Sequence, residues 1–370
     1  MDVLNCELLW IEGRCYRKIC SVSESTKKKT CRYNSYEDEP VCMIPNSVSQ
    51  VAGDSGTRST GYFCEHVPVP QQFLARICGA KHVRRNQIER ETNTKIDVPG
   101  KDTDGDVVVS GPDKNGVDSA CLRLRTIVSQ LRQKEEFTHF VALPLNLPVL
   151  DYALREFEEI VLKTCSMRDI DRSLFQTPGK LHMTIGMLVL LGKKEVKQAE
   201  NILHSCSDLV TKVLEDEPLR VRVQGLEYMN DDPSQVDVLY AKAVSYSTKD
   251  GHPNNRLQQF ADEVAQRFLD AGLMLQPQSK QVKLHITLMN TKFREQRFAT
   301  ENVSRTAPRN PRQSFDASAI LKRYRDHNFG KVTIPYVSIL LPRTCDTKGF
   351  YVNVGQLSLP SGNQQWQPHS

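Results

Sequence analysis

Two stretches of the chain share one alternation of apolar and polar positions. KLHMTIGML (180–188) and VKLHITLMN (282–290) each contain the run apolar, His, apolar, Thr, apolar. A β-strand turns successive side chains to opposite faces. The alternation therefore predicts two strands, the first with Lys180, His182 and Thr184 on one face and Leu181, Met183 and Ile185 on the other. In the second, Lys283, His285 and Thr287 repeat the polar face and Leu284, Ile286 and Leu288 the apolar one. One face of each strand anchors it to a core. The other shows an imidazole, a hydroxyl and an ammonium group.

Upstream, the pattern over 62–132 predicts a compact unit of order β-α-α-β-β-α. FCEHVPVP (63–70) alternates as a strand, QQFLARICG is a short helix ended by Gly79, and VRRNQIERET is a second helix. KIDVP and DVVVSG are strands around the turn KDTDGD. VDSACLRLRTIVSQLRQ is an amphipathic helix with Ala120, Leu122, Ile127 and Leu131 as inward candidates. About five residues, QKEEF (133–137), link this unit to the next, too few for free tethering.

From 137 to 358 the order strand, helix, His strand occurs twice, with the two histidines 103 positions apart. The first helix carries Leu154, Phe157, Val161 and Cys165 along one side. A helix over 194–214 carries Val196, Ala199, Leu203, Cys206, Val210 and Val213, and one over 253–271 carries Leu257, Phe260, Val264 and Phe268. A repeat of this kind predicts two similar lobes lining a shared groove. Residues 291–325 hold nine cationic side chains (Lys292, Arg294, Arg297, Arg305, Arg309, Arg312, Lys322, Arg323, Arg325) against Glu295, Glu301 and Asp316. That stretch reads either as a solvated loop or as a phosphate-backbone track beside the groove. Residues 359–370 read as a tail.

Residues 1–60 hold one short apolar piece, near 8–19, ahead of a polar stretch that buries too little to offset its ordering entropy. This is a mostly flexible arm, or an arm with a docking segment whose anchors are Leu9, Trp10, Ile11 and Tyr16. A net charge of +5 and a pI near 8.5 allow an anionic partner without demanding one. Eleven cysteines without a C-x-x-C fit reduced thiols in a cytosolic or nuclear protein rather than a zinc site; Cys6, Cys15, Cys20, Cys31 and Cys42 have no zinc-ligand spacing. The N-terminus lacks a signal-peptide pattern, and no apolar run is long enough to span a membrane.

Two histidine strands facing a cleft supply a general base, a general acid and phosphate hydrogen-bond donors, with no metal or cofactor in the scheme. A neutral His182 or His285 takes a proton from the nucleophile, and the other, protonated, gives one to the leaving oxygen. The alternation leaves open which is which. Thr184 and Thr287 donate to nonbridging oxygens. Lys180 and Lys283 raise the local phosphate concentration, or are solvated strand-edge lysines. His139 is also in a strand, but Val141 stands where a threonine would be.

These features resemble known families. The β-α-α-β-β-α unit resembles a type I KH domain, whose Gly-x-x-Gly loop clamps single-stranded nucleic acid. Here the loop is Gly79-Ala80-Lys81-His82, with histidine at the second glycine, and Arg76, Arg84 and Arg85 add charge around it. The duplicated half resembles the two-histidine (2H) phosphoesterase superfamily. The chain as a whole, an α+β protein, is similar to a family of transcription-coactivator complex subunits that join these two domains. Gly13-Arg14-Cys15-Tyr16-Arg17-Lys18, TIGMLVLL (184–191) and EYMNDDP (227–233) carry that similarity. The resemblance implies a nuclear protein partnered with a helicase subunit in coactivation and the alkylation-damage response. It also implies single-stranded RNA or a nucleotide phosphodiester as ligand. Its rival is a non-catalytic RNA-binding scaffold that retains the 2H fold.

Overall fold

The structure, a computed structural model, describes residues 8–11, 14–17 and 62–361, apart from 101–104, 166–168, 230, 248, 278 and 295–312. The N-terminal unit, Met1–Arg58, contains β1 (Leu8–Ile11) and β2 (Arg14–Arg17), paired antiparallel with Leu9 opposite Tyr16 and Trp10 opposite Cys15. The expected docking role of Leu9, Trp10, Ile11 and Tyr16 concerns side chains that lie outside the described residues. So do the arm from residue 18 to 61, Arg297, Arg305, Arg309, Arg312 and the tail from 362.

In the second unit, Ser59–Ser370, the first elements are β3 (Phe63–Val67), α1 (Gln71–Cys78), α2 (Val83–Thr92), β4 (Lys95–Asp97), β5 (Val107–Gly111) and α3 (Lys114–Gln133). The strands form an antiparallel sheet of order β3-β5-β4. Asp113 starts α3 by accepting a hydrogen bond from the Gly116 amide at 2.9 Å. The buried stripe of α3 is Val117, Ala120, Cys121, Leu124 and Val128. Leu122, expected inside, is 59 % exposed. At about 100° per residue it lies roughly 200° around the helix from Ala120, on the solvent side.

The remaining elements are β6 (His139–Pro144), α4 (Pro148–Thr164), β7 (His182–Leu188), α5 (Lys193–Ser205), α6 (Ser207–Lys212), β8 (Arg220–Tyr228), β9 (Val238–Ser245), α7 (Arg256–Asp270), β10 (Ile286–Asn290), α8 (Ser318–Tyr324), β11 (Asn328–Thr333), β12 (Tyr336–Cys345) and β13 (Tyr351–Ser358). The helix expected over 194–214 is two, broken at Cys206. Arg267 donates to the Ser205 carbonyl at 2.6 Å and pairs with Asp208 at 2.7 Å, drawing the last carbonyl of α5 out of its ladder.

All eight strands join one sheet of order β11-β8-β9-β10-β7-β6-β12-β13. The two lobes are its halves, and they meet where β10 pairs with β7, at Ile286 and Met183. Each histidine strand is flanked further along by a segment of the other half, Met274 opposite Leu188 and Phe175 opposite Met289. At the first crossing Gly186 leaves room for the Met274 thioether, which a Cβ there would approach to 2.4 Å and displace. The buried residues of α4, α5, α7 and α8 form one core with Met183, Ile286 and Val141 on one face of the sheet. On the other face Phe140, Ala142, Leu340 and Phe350 make a smaller cluster against Met187 and Tyr351.

The last turn of α3 docks on this second domain. Arg132, 4 % exposed, binds Glu195 in two parallel bonds of 2.6 and 3.0 Å and also donates to the Val189 carbonyl. Glu195 accepts the Leu191 amide as well, and Leu191 packs against the core of the first domain. Gln133 accepts the Gln276 amide at 2.8 Å. The short linker is thus matched by direct contacts on either side of it.

Candidate active site

Both histidine strands begin later than their alternation suggests, at His182 and Ile286, because each histidine takes a carbonyl that would otherwise extend the ladder. His182 Nδ1–H donates to the Lys180 carbonyl at 2.8 Å, and His285 Nδ1–H to the Lys283 carbonyl at 2.7 Å. A carbonyl only accepts, so Nδ1 carries the proton in the neutral ring and Nε2 keeps its lone pair. Among the described residues neither Nε2 has a hydrogen-bond partner.

Met183 and Ile286 point into the core, so their neighbours face the other way. Carried one residue either side of the Ile286–Met183 pair, the antiparallel register sets His182 opposite Thr287 and His285 opposite Thr184. All four are half-buried. Neither threonine hydroxyl is engaged among the described residues. Two lone-pair nitrogens and two free hydroxyls thus stand crosswise on one face.

Each histidine also has a tyrosine at its edge. Tyr351 of β13 stands 5.3 Å from the His182 ring, and Tyr240 of β9 stands 5.5 Å from His285. The ammonium groups of Lys180 and Lys283 each lie 5.6 Å from the centre of the same tyrosine, Tyr351 and Tyr240 respectively. Tyr240 donates to Glu227 at 3.0 Å, and Lys242 pairs with Glu227 at 3.2 Å. Sequence patterning finds neither tyrosine, since both lie on strands remote from the histidines in the chain. Alternation along VLYAKAV does group Tyr240 with Lys242, away from Leu239 and Ala241.

Burial lowers the pKa of both histidines. For His182 the carbonyl of Lys180 opposes this, and His285 adds to it. For His285 the Lys283 carbonyl opposes and the Lys283 ammonium adds. Burial and the Glu227 carboxylate push the Tyr240 phenol up to about 12, and burial raises Tyr351. The face therefore offers two neutral imidazoles and two protonated phenols near neutral pH. His139 lies apart from it, buried, with Nδ1 2.9 Å from the Thr138 hydroxyl. Among the described residues no three His, Cys, Asp or Glu side chains form a metal-ligand cluster.

In the loop after α1, Gly79, Lys81 and His82 all have positive φ, 72°, 49° and 62°. His82 holds the left-handed backbone that a second glycine would take freely, a strain of roughly 1 kcal/mol. Ala80, Lys81 and His82 are exposed. The nearby arginines are engaged: Arg76 with Glu135 at 2.5 Å, Arg84 with the Arg76 carbonyl at 3.0 Å, and Arg85 with Glu89 at 3.8 Å. Lys81 has no ion pair among the described residues. In the basic stretch after β10, Arg294 binds Asp171 at 3.1 Å and Arg323 donates to the Thr164 carbonyl.

Comparison with known proteins agrees with this architecture. Residues 137–359 match the family described as the AKAP7 2'5' RNA ligase-like domain, and residues 64–126 match the KH domain. Over 368 residues the chain is 35 % identical to Activating signal cointegrator 1 complex subunit 1 of Mus musculus, covering 96 % of this chain and 99 % of that one. The chain belongs to that family. It is thus a KH domain followed by a 2H phosphoesterase-like domain. More distant matches exist as well: an uncharacterized protein of Schizosaccharomyces pombe is 25 % identical over 154 residues, 42 % of this chain and 66 % of that one. The crystal structure of TT0787 of Thermus thermophilus overlaps 60 % of this chain and 98 % of its own, with 20 % identity and a TM-score of 0.37.

Proposed function

We propose that this chain is an RNA-binding subunit of a nuclear coactivator complex whose 2H domain cleaves phosphodiester bonds by metal-independent general acid–base catalysis. The observation that carries the reading is the crossed pair of histidines, each with Nδ1–H tied to a backbone carbonyl and Nε2 open. A phosphodiester seated between the strands receives hydrogen bonds from Thr184 and Thr287. One Nε2 takes a proton from water or a ribose hydroxyl, and the other imidazole, protonated when the anion binds, gives its proton to the leaving oxygen. Lys180 and Lys283, steadied over their tyrosines, add charge for the bound phosphate. RNA ends, 2′,3′-cyclic phosphates and oligonucleotides are the substrate class, and Gly79 to His82 with Lys81 is the RNA-contacting loop of the KH domain. Likeness to a coactivator-complex subunit supports membership of such a complex, and we propose a helicase subunit as partner and a part in the alkylation-damage response.

The test is turnover of a 2′,3′-cyclic nucleotide and of a short oligoribonucleotide by purified protein in EDTA. Turnover that disappears in His182→Ala supports the reading. A protein that binds RNA and turns over neither substrate is a scaffold.

A further inference from the structure

The face that carries His285 continues outward over β9, β8 and β11. Along β9, Tyr240, Lys242 and Val244, with Tyr246 just past its end, alternate with core-facing Leu239, Ala241 and Ser245. Tyr240 touches His285, and Tyr246 lies about 20 Å further along the strand at about 3.3 Å per residue. At that outer end the guanidinium of Arg222 stands 5.7 Å from the Tyr246 ring centre, and the Lys331 ammonium 5.4 Å.

Arg222 and Lys331 are direct cross-strand partners in the β8–β11 register. Like charges so placed destabilise a sheet. Among the described residues no carboxylate pairs with either. Glu227, the carboxylate on this face beside the histidines, is taken by Lys242 and Tyr240. Two unneutralised cations facing each other across a tyrosine, on the wall that leads to the histidines, are suited to an anion that brings an aromatic ring with it. A nucleotide within a single strand is such a ligand, its phosphate between the cations and its base against the tyrosine.

We propose that this wall is a binding track for single-stranded RNA, with Arg222, Lys331 and Tyr246 holding a nucleotide several positions from the phosphate at the histidine pair. The track makes oligonucleotides, not cyclic mononucleotides, the preferred substrate. It rests on reading the histidine pair as a phosphodiester site, and its binding arm is independent of turnover.

The experiment is fluorescence anisotropy of a labelled 12-nucleotide single-stranded RNA on the full chain, in a His182→Ala background, across a salt series. Arg222→Gln with Lys331→Gln should weaken binding about tenfold at moderate salt. The slope of log affinity against log salt should shrink by about 0.7, since the two cations share one phosphate and each phosphate contact on a single strand contributes roughly that much. The same pair of changes relieves cross-strand repulsion, so the melting temperature should hold or rise. Tyr246→Ala should weaken binding about tenfold while Tyr246→Phe keeps it, because stacking needs the ring and not the hydroxyl. In an otherwise wild-type chain, the variants should raise KM for an oligonucleotide and leave turnover of a cyclic mononucleotide unchanged. RNA affinity and salt slope equal to the parent in the double Gln variant would overturn the track, and the wall would then be free for an acidic protein partner. Variant-dependent binding without any turnover would keep the track and remove the proposed reaction.

Discussion

Ile286 of β10 pairs with Met183 of β7, and the two halves of the sheet are joined at that pair. Both side chains are in the core, so the residues on either side of them, two histidines and two threonines, turn to the opposite face together. His182→Ala and His285→Ala should each lower kcat/KM by roughly 10²- to 10⁴-fold, the usual range for a general acid or base. Both proteins should keep their far-ultraviolet dichroism, since the rings are half-buried on the groove face and not part of the main core. Activity that survives either change within about threefold would remove that histidine from the reaction.

The lowered histidine pKa values set the sign of two pH effects. Each group sits below its ordinary 6.5 in the folded chain. The unfolded chain therefore binds more protons between the folded values and about 6.5, and stability falls as pH drops through that window. The melting temperature should decline from pH 7 toward pH 5, with a shallower decline in the double His→Ala protein. For catalysis, a free enzyme with two depressed imidazoles should give a bell-shaped kcat/KM with its optimum below about pH 6.5. Rate profiles from pH 4.5 to 9 test this, and an optimum at pH 8 or above contradicts it.

Tyr240 fixes the Lys283 side of the site from behind. Tyr240→Phe keeps the ring beside His285 and Lys283 but removes the bond to Glu227. It should cost about 1.5–3 kcal/mol in denaturant unfolding, as for one hydrogen bond to a charged group, with little change in kcat. Tyr351→Ala removes the ring against His182 and Lys180 and should lower kcat/KM well beyond any loss of stability. The contrast between Phe and Ala at each position separates positioning from packing.

Arg132 joins the two domains through a buried, two-bonded contact with Glu195. Removing one partner of such a pair strands the other's charge and costs about 3–5 kcal/mol. Arg132→Ala should split thermal unfolding into two transitions and expose the linker after α3 to protease. A single cooperative transition at the parent temperature would mean that Leu191 packing and the Gln133–Gln276 contact suffice to hold the domains.

The histidine strands, most of the helix faces and the order of elements in both domains were legible because period is local: residues two apart share a strand face, and three or four apart share a helix face. What lies across strands was not. Tyr351 is 169 positions from His182, and nothing in its own stretch, GFYVNVG, marks it as that histidine's neighbour. Alternation also overextended the two strands, because it does not show that each histidine ring takes a backbone carbonyl. The charge near Gly79 was legible as composition, yet its disposition was not. Arg76 spends its charge on Glu135, a carboxylate that only the fold brings near, and Arg85 on Glu89, one helical turn away.

That disposition narrows the RNA prediction to the loop itself. Of its cations, Lys81 is exposed and unpaired among the described residues, while Arg84 is tied to the Arg76 carbonyl. Lys81→Glu should therefore weaken single-stranded RNA binding and reduce its salt slope by roughly 0.7, the value for one phosphate contact. Arg84→Glu should act mainly on stability, by freeing the end of α1. His82→Gly works in the opposite direction: it relieves a left-handed side chain, which should raise stability by up to about 1 kcal/mol. It also bares the backbone where a phosphate approaches, so RNA affinity should rise. Anisotropy titrations and melting curves on the three proteins separate these effects. If Lys81→Glu binds RNA like the parent and His82→Gly gains nothing, the loop is a packing element, and RNA contact belongs to the wall beside the histidines.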